Sequence, residues 1–277
     1  MLGPMDLTRW LVATLTGHAA DAAPDWDEDD DTAAELACSG EDTAECARDR
    51  QFTQALPMRT YPVLDLEAKA AAAKYADGRV KRTAHARVKL ATRKVVIVLH
   101  QVGAERPSSN SRWHLITAHS TIKPDGTRCH LHPLDVRLVE ANAFDRPPFH
   151  GLGIEVGGNF EGVDGTGNWW APDKMGRGRA SDSQLEATRQ EVADLCERVA
   201  AMGGRVIGIA PHRVSGRDSK GRPNRTLCPG SRVWSEVGEW AGAELGLAVP
   251  GPAFKLGGTV VPEAWHGRHW PRCRRFL

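Results

Sequence analysis

The chain has 277 residues, a length that fits one large domain or one medium domain with extensions. Its 36 Lys and Arg residues nearly balance 35 Asp and Glu residues, so no overall charge points to nucleic acid as a partner. No apolar run approaches the roughly 18 residues that a membrane-spanning helix needs, so we expect no integral membrane segment.

The first part of the chain, residues 1–56, has the composition of a weakly ordered or peripheral extension. It is rich in Ala, Asp and Glu and has few large apolar residues. Arg9 and the short apolar run 10–15 resemble part of a signal peptide, but Asp6 precedes them. An amphipathic helix or a flexible leader is therefore favoured over an exported segment.

A packed domain is predicted over residues 57–248, and its first half consists mainly of short strands. An Ala-rich stretch, 64–75, predicts a helix. Pro124 and Gly126 predict a turn between two strands. Four segments have the apolar and β-branched composition of short strands: 94–100, 115–122, 128–134 and 152–156.

The clearest helix begins at Ser181. Ser181 and Gln184 form a capping-box pattern, and apolar residues at helical spacing follow as far as Met202, before two glycines. The apolar run 206–210 then predicts another strand. Strands interleaved with helices predict an α/β fold with a central mixed β-sheet flanked by helices.

Two histidines and a cysteine occupy positions that suit a metal site. His100 and His212 each follow an apolar run, and Cys228 begins a Cys-Pro-Gly turn. Strand ends hold side chains on a rigid backbone, and neutral imidazole and thiolate are ligands that Zn²⁺ prefers. Three protein ligands leave one position open for water, so the pattern indicates a catalytic rather than a structural zinc site.

The order of these motifs resembles the zinc-dependent N-acetylmuramoyl-L-alanine amidases, the family that includes phage lysozyme-type amidases and peptidoglycan recognition proteins. The resemblance covers roughly residues 60–245. It is carried by the strand before His100, by Gly153-Ile154-Glu155, by the following helix and by His212-Arg213. The run Thr226-Leu227-Cys228-Pro229-Gly230 completes it.

The resemblance implies an enzyme that binds one Zn²⁺ per chain. His100, His212 and Cys228 match the family's metal ligands, Glu155 matches its general base, and Thr226 matches the residue that steadies the oxyanion. The expected reaction is hydrolysis of the amide bond between N-acetylmuramic acid and L-alanine in peptidoglycan. The alternative is a peptidoglycan-binding module that has the same fold and no activity.

Further expectations concern the substrate and the setting. Trp169, Trp170 and Asn159 are predicted to bind substrate, although the tryptophans equally suit a cap over the core. We expect a monomer that acts on the cell wall or in the periplasm, as a phage or prophage endolysin or as a bacterial wall-remodelling amidase. Without a convincing signal peptide, release from the cytoplasm through a holin is the expected route.

Three features depart from the family pattern. Cys129 stands where many relatives have a tyrosine near the metal, and Glu140 stands where they often have a Trp-His pair. An insertion rich in Arg, Lys and Gly, 215–224, lengthens the connection between His212 and Cys228, so this loop must fold outward. Residues 249–277 are predicted to form a C-terminal basic tail. It either attaches to anionic wall polymers or an outer membrane surface, or packs across the domain.

Overall fold

A computed structural model of the protein describes residues 60–71, 87–104, 106–138, 144, 148–161, 178–216 and 227–267. The acidic extension, 1–56, lies outside these residues, and its boundary with the domain stays a prediction. Within the described part of the chain, no helix is both long enough and apolar enough to span a bilayer.

A six-stranded mixed sheet forms the centre of the fold, which confirms the predicted α/β class. Its strands are β1 (Val63–Asp65), β2 (Lys94–Gln101), β3 (Ser120–Ile122), β4 (Arg128–His130), β5 (Phe149–Val156) and β6 (Arg205–Pro211). Their order across the sheet is β1-β4-β3-β5-β2-β6. Only the β3–β4 pair is antiparallel, as expected for two strands joined by a short turn.

The helices are α1 (Glu67–Ala71), α2 (Asp182–Ala201) and α3, which begins with Ser231–Val233, continues through the π-helical stretch Trp234–Gly238 and ends with Glu239–Glu244. The capping box predicted for α2 is present: the Ser181 hydroxyl accepts the Gln184 N–H, and the Gln184 side chain accepts the Ser181 N–H. Buried apolar residues on α2, among them Val192, Leu195 and Val199, belong to the main core together with the sheet.

The two longest strands, β2 and β5, lie side by side in the middle of the sheet. Every residue of β2 except Lys94 is buried, and every residue of β5 except Glu155 is buried. Parallel strands covered on both faces have this nearly continuous apolar sequence. Glu155 is therefore an exception that packing alone does not explain.

The structure corrects two details of the predicted elements. The stretch 64–75 was expected to be helical, but it contributes to the edge strand β1 before the short helix α1. The strands predicted over 115–122 and 128–134 are shortened to β3 and β4. In both cases pairing with distant residues decides the boundaries: Arg128 N–H donates to the Pro62 carbonyl at 2.8 Å, and Leu66 N–H donates to the His130 carbonyl at 2.9 Å.

The segment predicted as a C-terminal tail is described as far as Gly267, and this part packs into the domain. Phe254, Val261 and Trp265 are buried members of the main core. The segment also pairs with the chain after β6, because Thr259 N–H donates to the Arg213 carbonyl at 2.8 Å. Residues 251–267 thus lie against the residues that immediately follow His212.

Candidate metal and catalytic site

Parallel strand pairing brings the two candidate histidine ligands to the same edge of the sheet. His100 is the next-to-last residue of β2, and His212 directly follows Pro211, the last residue of β6. Because Pro211 is paired with Leu99, the residue before His100, the two histidines leave neighbouring strands at the same level. The carboxyl ends of parallel strands are where α/β proteins commonly bind their ligands.

The imidazole rings of the two histidines face each other. Nδ1 of His100 lies 2.9 Å from Nδ1 of His212, and the ring centroids are 4.2 Å apart. His100 is buried and His212 is half-buried. Two imidazole nitrogens at this distance either share a proton or direct both lone pairs towards a cation.

Cys228 completes the group from a turn. Its side chain is buried, and the candidate ligand atoms of His100, His212 and Cys228 all lie within 4.8 Å of one another. Two glycine-dependent features shape the turn: Gly230 has φ +99°, and a Cβ at this position would lie 2.9 Å from the Phe160 Cβ. A larger residue at 230 would be strained and would overlap Phe160, so the turn that carries Cys228 would have to shift.

The residues before and after the inserted loop lie next to each other. The Arg213 N–H donates to the Cys228 carbonyl at 3.1 Å, so the chain on either side of the insertion is joined directly. Residues 217–226 lie outside the described residues, and with them Thr226, whose catalytic role stays a prediction.

Glu155 lies beside the three candidate ligands. It is the register partner of His100 in the β2–β5 pair, and its Oε1 is 4.0 Å from Nδ1 of His100. The side chain is 18 % exposed, so solvent reaches part of it. Its backbone is held in place because the buried Thr121 hydroxyl donates to the Glu155 carbonyl at 2.7 Å.

Two arginines contribute positive charge near this group. Burial lowers the pKa of Arg106, and the Glu155 carboxylate opposes that change. Burial also lowers the pKa of Arg213 to about 10, while Cys228 acts in the opposite direction. Both guanidinium groups remain cationic near neutral pH. Arg106 therefore attracts the Glu155 carboxylate, and Arg213 attracts a negative charge on Cys228.

The donor set fits a zinc ion. Neutral imidazole and thiolate are both ligands that Zn²⁺ prefers, and the two histidines at strand ends already lie close to the cysteine of the turn. Among the described residues, these three side chains form the one group of candidate metal ligands that lie close enough together to share an ion. Five other histidines in the middle of the sequence are not part of this group: His114, His119, His130, His132 and His150.

Of the three residues predicted to bind substrate, the structure describes Asn159 alone. Asn159 is fully buried in the segment after β5, and its carbonyl accepts the Gly178 N–H at 3.2 Å. Its predicted role in substrate binding stays a prediction. Trp169, Trp170 and Glu140 lie outside the described residues.

Cys129 lies two strands away from Glu155. It is paired with Thr121 of β3, which is in turn paired with Glu155 of β5. Neighbouring strands are about 4.8 Å apart, so the Cα atoms of Cys129 and Glu155 are about 10 Å apart. Burial raises the pKa of the Cys129 thiol to about 11, and the residue packs in an apolar cluster with Trp113.

Sequence reasoning missed one residue of this site, Gln101. It follows His100 at the end of β2 and is buried, and its backbone N–H donates to Sγ of Cys228 at 3.3 Å. The available signal was a polar amide at the end of an otherwise apolar run.

Comparison with known proteins gives a family match. The sequence profile described as N-acetylmuramoyl-L-alanine amidase matches residues 91–231, about half of the chain and the part that contains all three candidate ligands. A search of curated proteins finds no match.

Several solved structures are similar to this chain at low identity. The amidase LysC from Clostridium intestinale URNW is 14% identical, with 68% of this chain and 99% of that chain covered and a TM-score of 0.40. For Drosophila PGRP-LB the identity is 16%, the coverages are 65% and 95%, and the TM-score is 0.40. The Ph2119 endolysin from the Thermus scotoductus MAT2119 bacteriophage is 17% identical, with coverages of 64% and 99% and a TM-score of 0.36.

Proposed function

Because the chain belongs to the N-acetylmuramoyl-L-alanine amidase family, we propose that it hydrolyses the amide bond between N-acetylmuramic acid and L-alanine in peptidoglycan. One observation carries the proposal: His100, His212 and Cys228 converge within 4.8 Å, with a carboxylate beside them. A purely structural zinc site has four protein ligands, whereas the described residues offer three here. The fourth position is then available for chemistry.

In this proposal His100, His212 and Cys228 hold one Zn²⁺. When bound there, the metal supplies polarisation of the substrate carbonyl and lowers the pKa of the attacking water. Thr226, two residues before Cys228 in the sequence, is proposed to stabilise the developing oxyanion. The products are the lactyl carboxyl group of the sugar and the free amino group of the L-alanine stem peptide.

Glu155 is the proposed general base. Its Oε1 accepts the proton of the attacking water and then returns it to the leaving nitrogen of L-alanine, so the carboxylate is regenerated in each cycle. Its side chain is partly exposed to solvent, and its register with His100 keeps the carboxylate next to the ligands. Arg106 interacts electrostatically with this carboxylate.

The test combines metal analysis with dye release from labelled peptidoglycan. We expect about one zinc per chain in the purified protein, release of dye, and loss of release when a chelator removes the metal. Cys228→Ser should lose both zinc and activity, while the matched variant Cys196→Ser, in the helix α2, should keep both. Unchanged release in chelated protein or in Cys228→Ser would contradict the zinc mechanism.

The Glu155→Gln variant separates catalysis from metal binding. A positioned general base typically contributes 10²- to 10⁴-fold, so we expect a loss of roughly that size with an unchanged zinc content. If the zinc-loaded wild type binds peptidoglycan and releases no dye, the chain is instead a binding module. An endolysin or wall-remodelling role remains part of the proposal, and lysis of intact cells from outside would support it.

A further inference from the structure

Gln101 is a buried amide whose hydrogen-bonding groups join three segments of the chain. Its side chain is almost fully buried at the end of β2, where an unsatisfied amide would be costly. Nε2 donates to the Leu227 carbonyl at 3.1 Å and to the Phe160 carbonyl at 3.3 Å. Oε1 accepts the Phe160 N–H. One side chain thus connects β2 with the segment after β5 and with the turn that contains Cys228.

The same residue also contacts the thiol directly. The Gln101 backbone N–H donates to Sγ of Cys228 at 3.3 Å, and its side chain binds the carbonyl of Leu227, the residue immediately before Cys228. Gln101 therefore contacts both the sulfur of Cys228 and the residue that precedes it in the turn.

The turn is not part of the sheet, so its position depends on such contacts. Ser231, which follows the Cys-Pro-Gly turn, is joined to the segment after β5, because its N–H donates to the Glu161 carbonyl at 3.1 Å. Gln101 holds that segment as well, through Phe160. Loss of the Gln101 amide would remove the side-chain bonds that connect β2 with the turn and with that segment, while backbone bonds such as Arg213 N–H to the Cys228 carbonyl would remain.

We infer that Gln101 is a positioning residue that holds the Cys228 thiolate in place for metal binding by His100, His212 and Cys228. The inference rests on the proposed zinc site. Residues that orient metal ligands through hydrogen bonds typically change metal affinity by 10- to 100-fold when they are replaced. Methionine at 101 keeps a similar length and an unbranched shape but loses both amide functions, so Gln101→Met is the most direct variant.

Gln184 provides a matched control. It has the same small exposure as Gln101, 3%, and its side chain donates to the Gly157 carbonyl at 2.7 Å and accepts the Ser181 N–H at 3.0 Å. It lies in the first turn of α2 and touches none of the candidate ligands. Gln184→Met therefore removes the hydrogen bonds of a buried amide without an effect on Cys228.

The experiment measures zinc affinity and the cobalt spectrum. Zinc-loaded wild type, Gln101→Met and Gln184→Met compete with a chromophoric chelator, and each protein exchanged with Co²⁺ is examined for its thiolate-to-cobalt absorption band. We expect Gln101→Met to bind zinc 10- to 100-fold more weakly and to show a shifted or weakened band. Gln184→Met should lower the urea midpoint and leave the affinity and the band as in wild type.

The outcomes separate this inference from the proposed function. Wild-type affinity and an unchanged band in Gln101→Met would overturn the role of Gln101 while leaving the zinc site intact. Absence of zinc and cobalt binding in the wild type would overturn both. If Gln101→Met does not fold, Gln101→Glu decides by the same measurements: it keeps the side-chain shape but turns an oxygen towards the Leu227 carbonyl, and weaker zinc binding is again expected.

Discussion

Acid should destabilise this protein through His119, which is held inside the fold in one neutral form. The Gly153 N–H donates to Nδ1 of His119 at 3.1 Å, so the ring proton lies on Nε2, which donates to the Val136 carbonyl at 2.9 Å. Protonation of Nδ1 would break the bond to Gly153 and bury a charge. Burial, with a smaller contribution from nearby His150, lowers the pKa of His119 from 6.5 to about 3.

The size of the effect follows from this pKa difference. Above about pH 6.5 the ring is neutral in both the folded and the unfolded state, so the free energy of unfolding is not reduced. As the pH falls from 6.5 towards 3, the unfolded state takes up the proton first, and stability decreases by up to about 5 kcal/mol. At about pH 5 the loss should be about 2 kcal/mol.

Urea unfolding at about pH 7.5 and about pH 5 measures this loss, with a chelator present so that release of metal does not contribute. The comparison variant is His119→Asn, whose carbonyl oxygen can accept the Gly153 N–H but which does not titrate. Wild type should lose about 2 kcal/mol more than the variant between the two pH values. An equal loss in both proteins would refute the assignment of the acid sensitivity to His119.

Two further substitutions and one deletion test the packing of the domain. Ser181→Ala removes the hydroxyl that caps α2 and should lower the free energy of unfolding by about 1 kcal/mol in urea titration. Gly126→Ala should cost more than this cap, because residue 126 has φ +87° and its added methyl group would overlap the Tyr61 ring; a smaller loss in the same titration would contradict this packing. A chain without residues 251–267 loses the backbone bonds to Arg213 and Val214 and three buried core side chains, so its thermal midpoint and zinc content should both fall. Retention of zinc would show that this support is dispensable.

Much of the local structure could be predicted because its causes lie close together in the sequence. The cap of α2 needs only Ser181 and Gln184, three positions apart, and the buried strand before His100 is marked by its unbroken apolar run. The edge strand β1 could not be predicted in this way, because it exists through pairing with β4. Its own residues are exposed and include part of an Ala-rich stretch that favours helix.

By itself, the sequence determined which side chains can take part in the chemistry: two imidazoles after apolar runs, a thiol in a Cys-Pro-Gly turn, and a carboxylate in a third run. Only the tertiary structure decided that they meet. His100 and His212 are 112 positions apart, and Gln101 and Cys228 are 127 apart, so their contacts follow from strand order and from the closure of a long loop. Such pairings depend on the packing of the whole domain, and local residue patterns carry little information about them.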